Sequence, residues 1–296
     1  MVIPTKKLKN GFELPVYGLG TWQMGGRRER DLKNDDAADI RAIQQAIEAG
    51  ITHIDTAEGY ANGHAEELIA QAIEEKAIDR HTLFLASKVR CEHQGYDDLL
   101  RACEASLKRL NTEYLDLYLL HSFADQVSLK DTIRALNTLK DQGLVRHIGV
   151  SNFDVEQLRE AQGYATSKVV CNQVYYNLRV REIERRGLLE YCQHNDVMVV
   201  AYRPTEKSQL LIEIPPVVDT LCKKYDKTPV QIALSWLVSQ PNVVTLAKTR
   251  NPLHLEENLG ALDWTMDPED VEMLRRDFPN QVDVSDLIVL GGKFNR

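Results

Sequence analysis

Four side chains in the first half of the chain could together deliver a proton to an oxygen: Asp55, Tyr60, Lys88 and His121. Asp55 and Tyr60 stand five residues apart in the stretch Gly50-Ile-Thr-His-Ile-Asp-Thr-Ala-Glu-Gly-Tyr-Ala-Asn-Gly, Lys88 closes the pair Ser87-Lys88, and His121 closes Leu119-Leu120-His121. A phenol with an ordinary pKa of about 10 is a poor acid at neutral pH. An ammonium beside it favours the phenolate and lowers that value, which suits the group to proton donation. Lys88 can supply the ammonium, and Asp55 can keep it charged and oriented. A neutral His121 could donate a hydrogen bond to the same oxygen. Singly, each has a plainer role: Asp after a strand caps a helix, Lys at a strand end is solvated, and a loop Tyr or a lone His packs. Their order on successive strand ends separates the set from those roles.

The elements that must position them follow from hydrophobic periodicity. Short β-branched runs at 16–20, 52–55, 82–88, 114–121, 146–151, 169–174, 197–202 and 243–247 read as strands. Amphipathic stretches lie between them at 37–49, 99–110, 129–142, 155–162 and 229–239, with Gly50, Gly143 and Gly163 following the first, third and fourth. Strand–helix alternation of this kind implies parallel strands with crossovers. Eight such units predict an α/β fold, a (β/α)₈ TIM barrel. Residues 4–14 predict a β-hairpin turning at Asn10-Gly11 that covers the barrel floor. Segments 206–227 and 267–278 are each expected to add a helix. Nothing marks a domain boundary, so residues 1–296 are expected to form one domain.

From about residue 16 to residue 258 the chain resembles the aldo-keto reductases, through the 50–63 stretch and the Lys and His that follow it in order. The resemblance implies NAD(P)H-dependent reduction of aldehydes or ketones to alcohols, with Asp55, Tyr60, Lys88 and His121 as the catalytic tetrad and Tyr60 as proton donor. That reaction needs hydride at carbon and a proton at oxygen. The catalytic face of such a barrel is the C-terminal end of its strands, where all four residues fall.

The resemblance also implies a cofactor track around the same rim: Gly20, Thr21 and Trp22, Asp55, then Ser151, Asn152 and Gln173 for the nicotinamide carboxamide. Tyr202 would stack on the ring with Arg203 beside it, and Lys248, Thr249, Arg250, His254, Glu257 and Asn258 would meet the adenosine end. Ser151-Asn152 could equally cap the helix at 155. Family members read the 2′-phosphate with Lys, Ser or Thr, and an Arg six residues after the Lys; here that residue is His254. Use of both NADPH and NADH is therefore expected, with Arg250 able to compensate in part. At the substrate mouth Trp22, Tyr60 and His121 are joined by Ser122, where an aromatic is usual, and by Arg90, where Trp is usual. Arg90 predicts a grip on an anionic substrate tail, provided the strand persists so that residues 88 and 90 point the same way.

Composition bounds the remaining possibilities. Hydrophobic residues make up 43% and charged residues 27%, which suits a folded core, and the net charge of −8 argues against nucleic acid. No membrane span or secretory signal is expected, which points to the cytoplasm, and a monomer or small homo-oligomer. The cysteines, Cys91, Cys103, Cys171, Cys192 and Cys222, have neither metal-ligand nor C-x-x-C spacing and read as free thiols. Gly18-Leu-Gly20 hints at a Rossmann loop, but Gln23 holds the third glycine position and Trp22 is too bulky for a close pyrophosphate approach. A metal-dependent hydrolase would need clustered ligands, and no metal is expected; His53 reads as core beside the site. The remaining alternative is a cofactor-binding regulatory or redox-sensing subunit with little turnover.

Overall fold

The β-branched runs become parallel strands that close on themselves, which leaves no sheet edge exposed. The computed structural model describes residues 2–205, 213–285 and 289–292. An antiparallel hairpin, β1 (Thr5–Lys7) and β2 (Glu13–Pro15), precedes the barrel. The barrel strands are β3 (Tyr17–Gly20), β4 (His53–Asp55), β5 (Phe84–Val89), β6 (Leu115–Leu120), β7 (Val145–Ser151), β8 (Val169–Tyr175), β9 (Met198–Tyr202) and β10 (Val243–Ala247). They pair in chain order, and β10 pairs with β3 to complete the ring.

Around it run α1 (Asp36–Glu48), α2 (His64–Glu75), α3 (Tyr96–Arg109), α4 (Leu129–Asp141) and α5 (Val155–Tyr164). They are followed by α6 (Glu182–Arg185), α7 (Leu188–His194), α8 (Pro216–Tyr225), α9 (Pro229–Val238), α10 (Pro252–Leu259) and α11 (Pro268–Asp277). The expected extra helices are α8 and α11; residues 206–212 of the first segment lie outside the described residues. The pair α6 and α7 between β8 and β9 has no counterpart in the sequence reading.

Boundaries differ where a local hydrogen bond outweighs periodicity. Asp79 accepts from the His81 amide and caps a 3₁₀ turn at Arg80–Thr82, so β5 begins at Phe84 rather than 82. Helix α5 runs through Gly163, with the Ala165 amide still bonding back to the Ala161 carbonyl.

Two cores result from side-chain alternation. Outward residues such as Tyr118, Leu120 and Val150 pack under the helices, and inward residues such as Ala86, Leu117, Leu119, Met198 and Val200 fill the barrel. Leu8, Phe12 and Leu14 of the hairpin join the inner core, and the Phe12 ring meets His147 at 4.9 Å and Phe84 at 6.1 Å. The hairpin therefore plugs the floor, and the other end of the barrel is left for chemistry. The hairpin turn depends on Gly11, whose φ of +91° suits glycine. Gly18 is needed for space: a Cβ there would lie 2.7 Å from both His53 Nδ1 and Leu246 Cδ2. Gly18 thus serves barrel packing.

Candidate active site

Alternation along β5 sends Ala86 and Lys88 into the barrel and Ser87 outward, where its hydroxyl donates to the buried Glu66 carboxylate of α2 at 2.5 Å. Lys88 is fully buried. Its Nζ donates to Asp55 Oδ1 at 2.6 Å, to the Thr56 carbonyl at 2.7 Å and to the Tyr60 hydroxyl at 3.2 Å. Asp55 ends β4 beside β5, and its other oxygen accepts from Gln173 Nε2 at 2.8 Å. One carboxylate thus orients both the lysine and a side chain from the opposite wall.

Burial works to depress the Lys88 ammonium, but Asp55 and Tyr60 outweigh it and hold its pKa above the usual value. Burial raises the Tyr60 phenol above its ordinary value, with Lys88 pulling it back. The influence of Lys88 has the expected sign, yet the net shift is upward because the phenol is shut away from water. Tyr60 therefore carries its proton at neutral pH. Burial, with help from Lys88 and Arg90, lowers His121 to about 3, so the imidazole is neutral. The Tyr60 ring meets Trp22 edge-on at 5.0 Å and His121 at 5.6 Å.

The turn after Tyr60 is strained. Ala61 and Asn62 have φ of +50° and +53°, and Gly63 follows at +89°. Such conformations cost free energy and concentrate at functional sites. The Ala61 amide donates to the Arg27 carbonyl at 2.7 Å, and Arg90 Nη2 donates to Asn62 Oδ1 at 3.1 Å and to the Glu58 carbonyl at 3.2 Å. Arg90 therefore braces this turn. β5 ends at Val89, the condition for residues 88 and 90 to share a direction lapses, and the guanidinium lines a flank cavity of about 260 Å³ with Arg101 and Arg109. Ser122 is fully buried, its hydroxyl 2.8 Å from Cys91 Sγ and its carbonyl accepting from Gln94. The structure does not bring it to the mouth.

The amides and hydroxyls on the rim converge. Ser151 Oγ donates to the Gln173 carbonyl at 2.8 Å. Asn152, at φ +61°, donates to Ser151 Oγ and the His121 carbonyl and accepts from the Tyr202 hydroxyl at 2.8 Å. The cap of α5 is supplied by Asp154 instead, in a capping box with Gln157. Gly20 is the register partner of Asp55, and Thr21 Oγ1 donates to the Asp55 carbonyl at 3.0 Å. Tyr202 stacks on Tyr175 at 5.5 Å, with the Arg203 guanidinium 5.5 Å from the Tyr175 ring on a backbone at φ +55°. Tyr175 was missed in the sequence, although it lies two residues beyond Gln173 on the same face of β8.

Beyond β10, Lys248 is exposed, Thr249 bonds within the Asn251 turn, and His254 is exposed in the first turn of α10. Glu257 is half-buried, and Asn258 is anchored to the Tyr17 hydroxyl at 3.0 Å. Arg250 is exposed, and its guanidinium grips Asp39. As a donor set this rim suits a nicotinamide nucleotide, with amides and a hydroxyl for a carboxamide, an aromatic ring to stack on, and a lysine before a helix N-terminus for phosphate. Among the described residues no group of three or more His, Cys, Asp and Glu side chains is placed to hold a metal ion.

Sequence comparison decides the family. Residues 17–276 match the model of the aldo/keto reductase family. The chain belongs to that family. It is 34% identical over 270 residues to methylglyoxal reductase YeaE of Escherichia coli, covering 90% of this chain and 92% of the relative. It is 36% identical over 270 residues to glyoxal reductase of Bacillus subtilis, covering 91% of each. Among solved structures, the thermostable aldo-keto reductase Tm1743, in complex with the inhibitor epalrestat, superposes with a TM-score of 0.87 at 42% identity, covering 92% of this chain and 99% of that one. An aldo/keto reductase from Klebsiella pneumoniae bound to NADP and acetate gives 0.82 at 33%, covering 97% and 99%. Like them, this aldo/keto reductase is a (β/α)₈ barrel. No helix among the described residues is long and apolar enough to cross a membrane.

Proposed function

We propose that the protein reduces aldehydes and ketones to alcohols with NADPH or NADH, and that Tyr60 is the proton donor. The observation that carries this reading is the Lys88 ammonium held by Asp55 with its third contact on the Tyr60 hydroxyl. A bound nicotinamide would supply hydride to the carbonyl carbon. Tyr60 gives its proton to the carbonyl oxygen, and the phenolate that forms gains the attraction of Lys88 at 3.2 Å. Asp55 keeps Lys88 charged through that change. Neutral His121 can donate to the same oxygen and select the pose. Trp22 walls the mouth against Tyr60. Ser151, Asn152, Gln173 and Tyr202 would hold the nicotinamide end, with Lys248 and Thr249 at the phosphate of the adenosine end. The names of the two bacterial relatives favour small dicarbonyl aldehydes as substrates.

Turnover of methylglyoxal and 4-nitrobenzaldehyde, measured separately with NADPH and NADH, tests the reading. Tyr60→Phe should lower kcat by at least about 10²-fold, the scale of a general acid, with cofactor affinity unchanged. Tight cofactor binding without turnover of any carbonyl would favour the regulatory alternative, and a near-normal Tyr60→Phe enzyme would remove Tyr60 as the acid.

A further inference from the structure

Arg250 stands two residues beyond Lys248, where a free guanidinium would be expected to seek a cofactor phosphate. It is already occupied. Its Nε donates to Asp39 Oδ1 at 2.5 Å and its Nη2 to Asp39 Oδ2 at 2.8 Å, the two-pronged geometry that makes arginine–carboxylate pairs strong. The same Nη2 reaches Asn34 Oδ1 at 2.8 Å. Asp39 lies in the first turn of α1 with its side chain fully buried. Besides Arg250 it accepts the Gly25 amide at 2.9 Å and Asn34 Nδ2 at 2.8 Å. These contacts join Gly25 and Asn34 across residues 22–35, the part of the connection from β3 to α1 that follows Thr21 and starts with Trp22. Beneath it, His64 of α2 bonds Asp36 at 2.7 Å and packs against Gly25, where a Cβ would lie 2.7 Å from the ring. A buried carboxylate that loses its guanidinium partner is left badly compensated, so release of Arg250 to another anion is disfavoured.

We propose that Arg250 is a positioning residue, a clasp that ties the 22–35 connection to the end of β10. The wall of the substrate mouth is thereby set by the segment that carries Lys248, and phosphate recognition falls to Lys248 and Thr249 without Arg250. The part concerning phosphate rests on the cofactor reading above; the clasp itself does not.

Hydrogen exchange of the cofactor-free protein, together with NADPH and NADH dissociation constants from fluorescence quenching, tests this on Arg250→Met, Arg250→Lys and Lys248→Met. Both Arg250 variants should speed exchange of the amides of residues 25–34 by at least about tenfold, because an ammonium keeps the charge but not the fork. They should weaken NADPH and NADH by the same factor to within about twofold, whereas Lys248→Met should weaken NADPH at least about tenfold, NADH little, and leave exchange unchanged. Selective loss of NADPH in Arg250→Met with unchanged exchange would overturn the clasp. If Lys248→Met spared NADPH while the Arg250 variants still freed residues 25–34, the clasp would stand and the cofactor reading of this strand end would fall.

Discussion

Replacing Lys88 with methionine should unmask how much the site draws on one buried ion pair. The lysine side chain is 0% exposed and that of Asp55 4%, so neither charge has water to fall back on. Lys88→Met keeps the length of the side chain and removes three donor contacts at 2.6, 2.7 and 3.2 Å. Asp55 then retains Gln173 Nε2. Removing one partner of a buried pair typically costs about 3–5 kcal/mol, a large part of a domain's total of about 5–15. Adding Asp55→Asn deletes the stranded charge and should recover about 2 kcal/mol, because what remains is a neutral polar group short of partners.

Urea unfolding of wild type, both single variants and the double variant gives the cycle directly. The pH dependence adds a sign. In wild type the Lys88 pKa is raised, so its stabilisation is complete below the usual 10.5 and is lost only as pH climbs through the raised value. A Lys88→Met protein within about 1 kcal/mol of wild type, or strictly additive single costs, would refute the buried-pair reasoning.

Two further outcomes can be checked kinetically. His254→Arg should shift selectivity toward NADPH by roughly 1–3 kcal/mol, the worth of a charge-assisted hydrogen bond, measured as the ratio of kcat/KM for the two cofactors. A wild type already discriminating a thousandfold for NADPH, with no gain on mutation, would contradict it. Arg90→Ala should loosen the strained turn after Tyr60 and lower kcat for matched neutral and anionic carbonyls alike, by several-fold. A loss confined to the KM of the anionic substrate would instead place Arg90 in the mouth.

Much of this molecule was legible in the order of its residues because strand and helix periods differ and because a barrel brings successive strand ends to one face. The alternation of β-branched runs with amphipathic helices, the Asn10-Gly11 hairpin and the gathering of Asp55, Tyr60 and Lys88 all follow from local pattern plus closure. What spacing could not set was the direction of long side chains after a strand has ended. Arg90 turns to the flank because β5 stops at Val89, and Ser122 disappears beneath Cys91. Arg250 is captured by Asp39, a partner 211 positions away in sequence. The protonation states were decided the same way: the neighbour of Tyr60 could be named in advance, but whether burial or Lys88 wins depends on how completely the barrel excludes water. Local sequence chose the groups, and only the closed tertiary structure chose their partners, because a charged side chain in a dry interior goes to whichever opposite charge the packing places within reach.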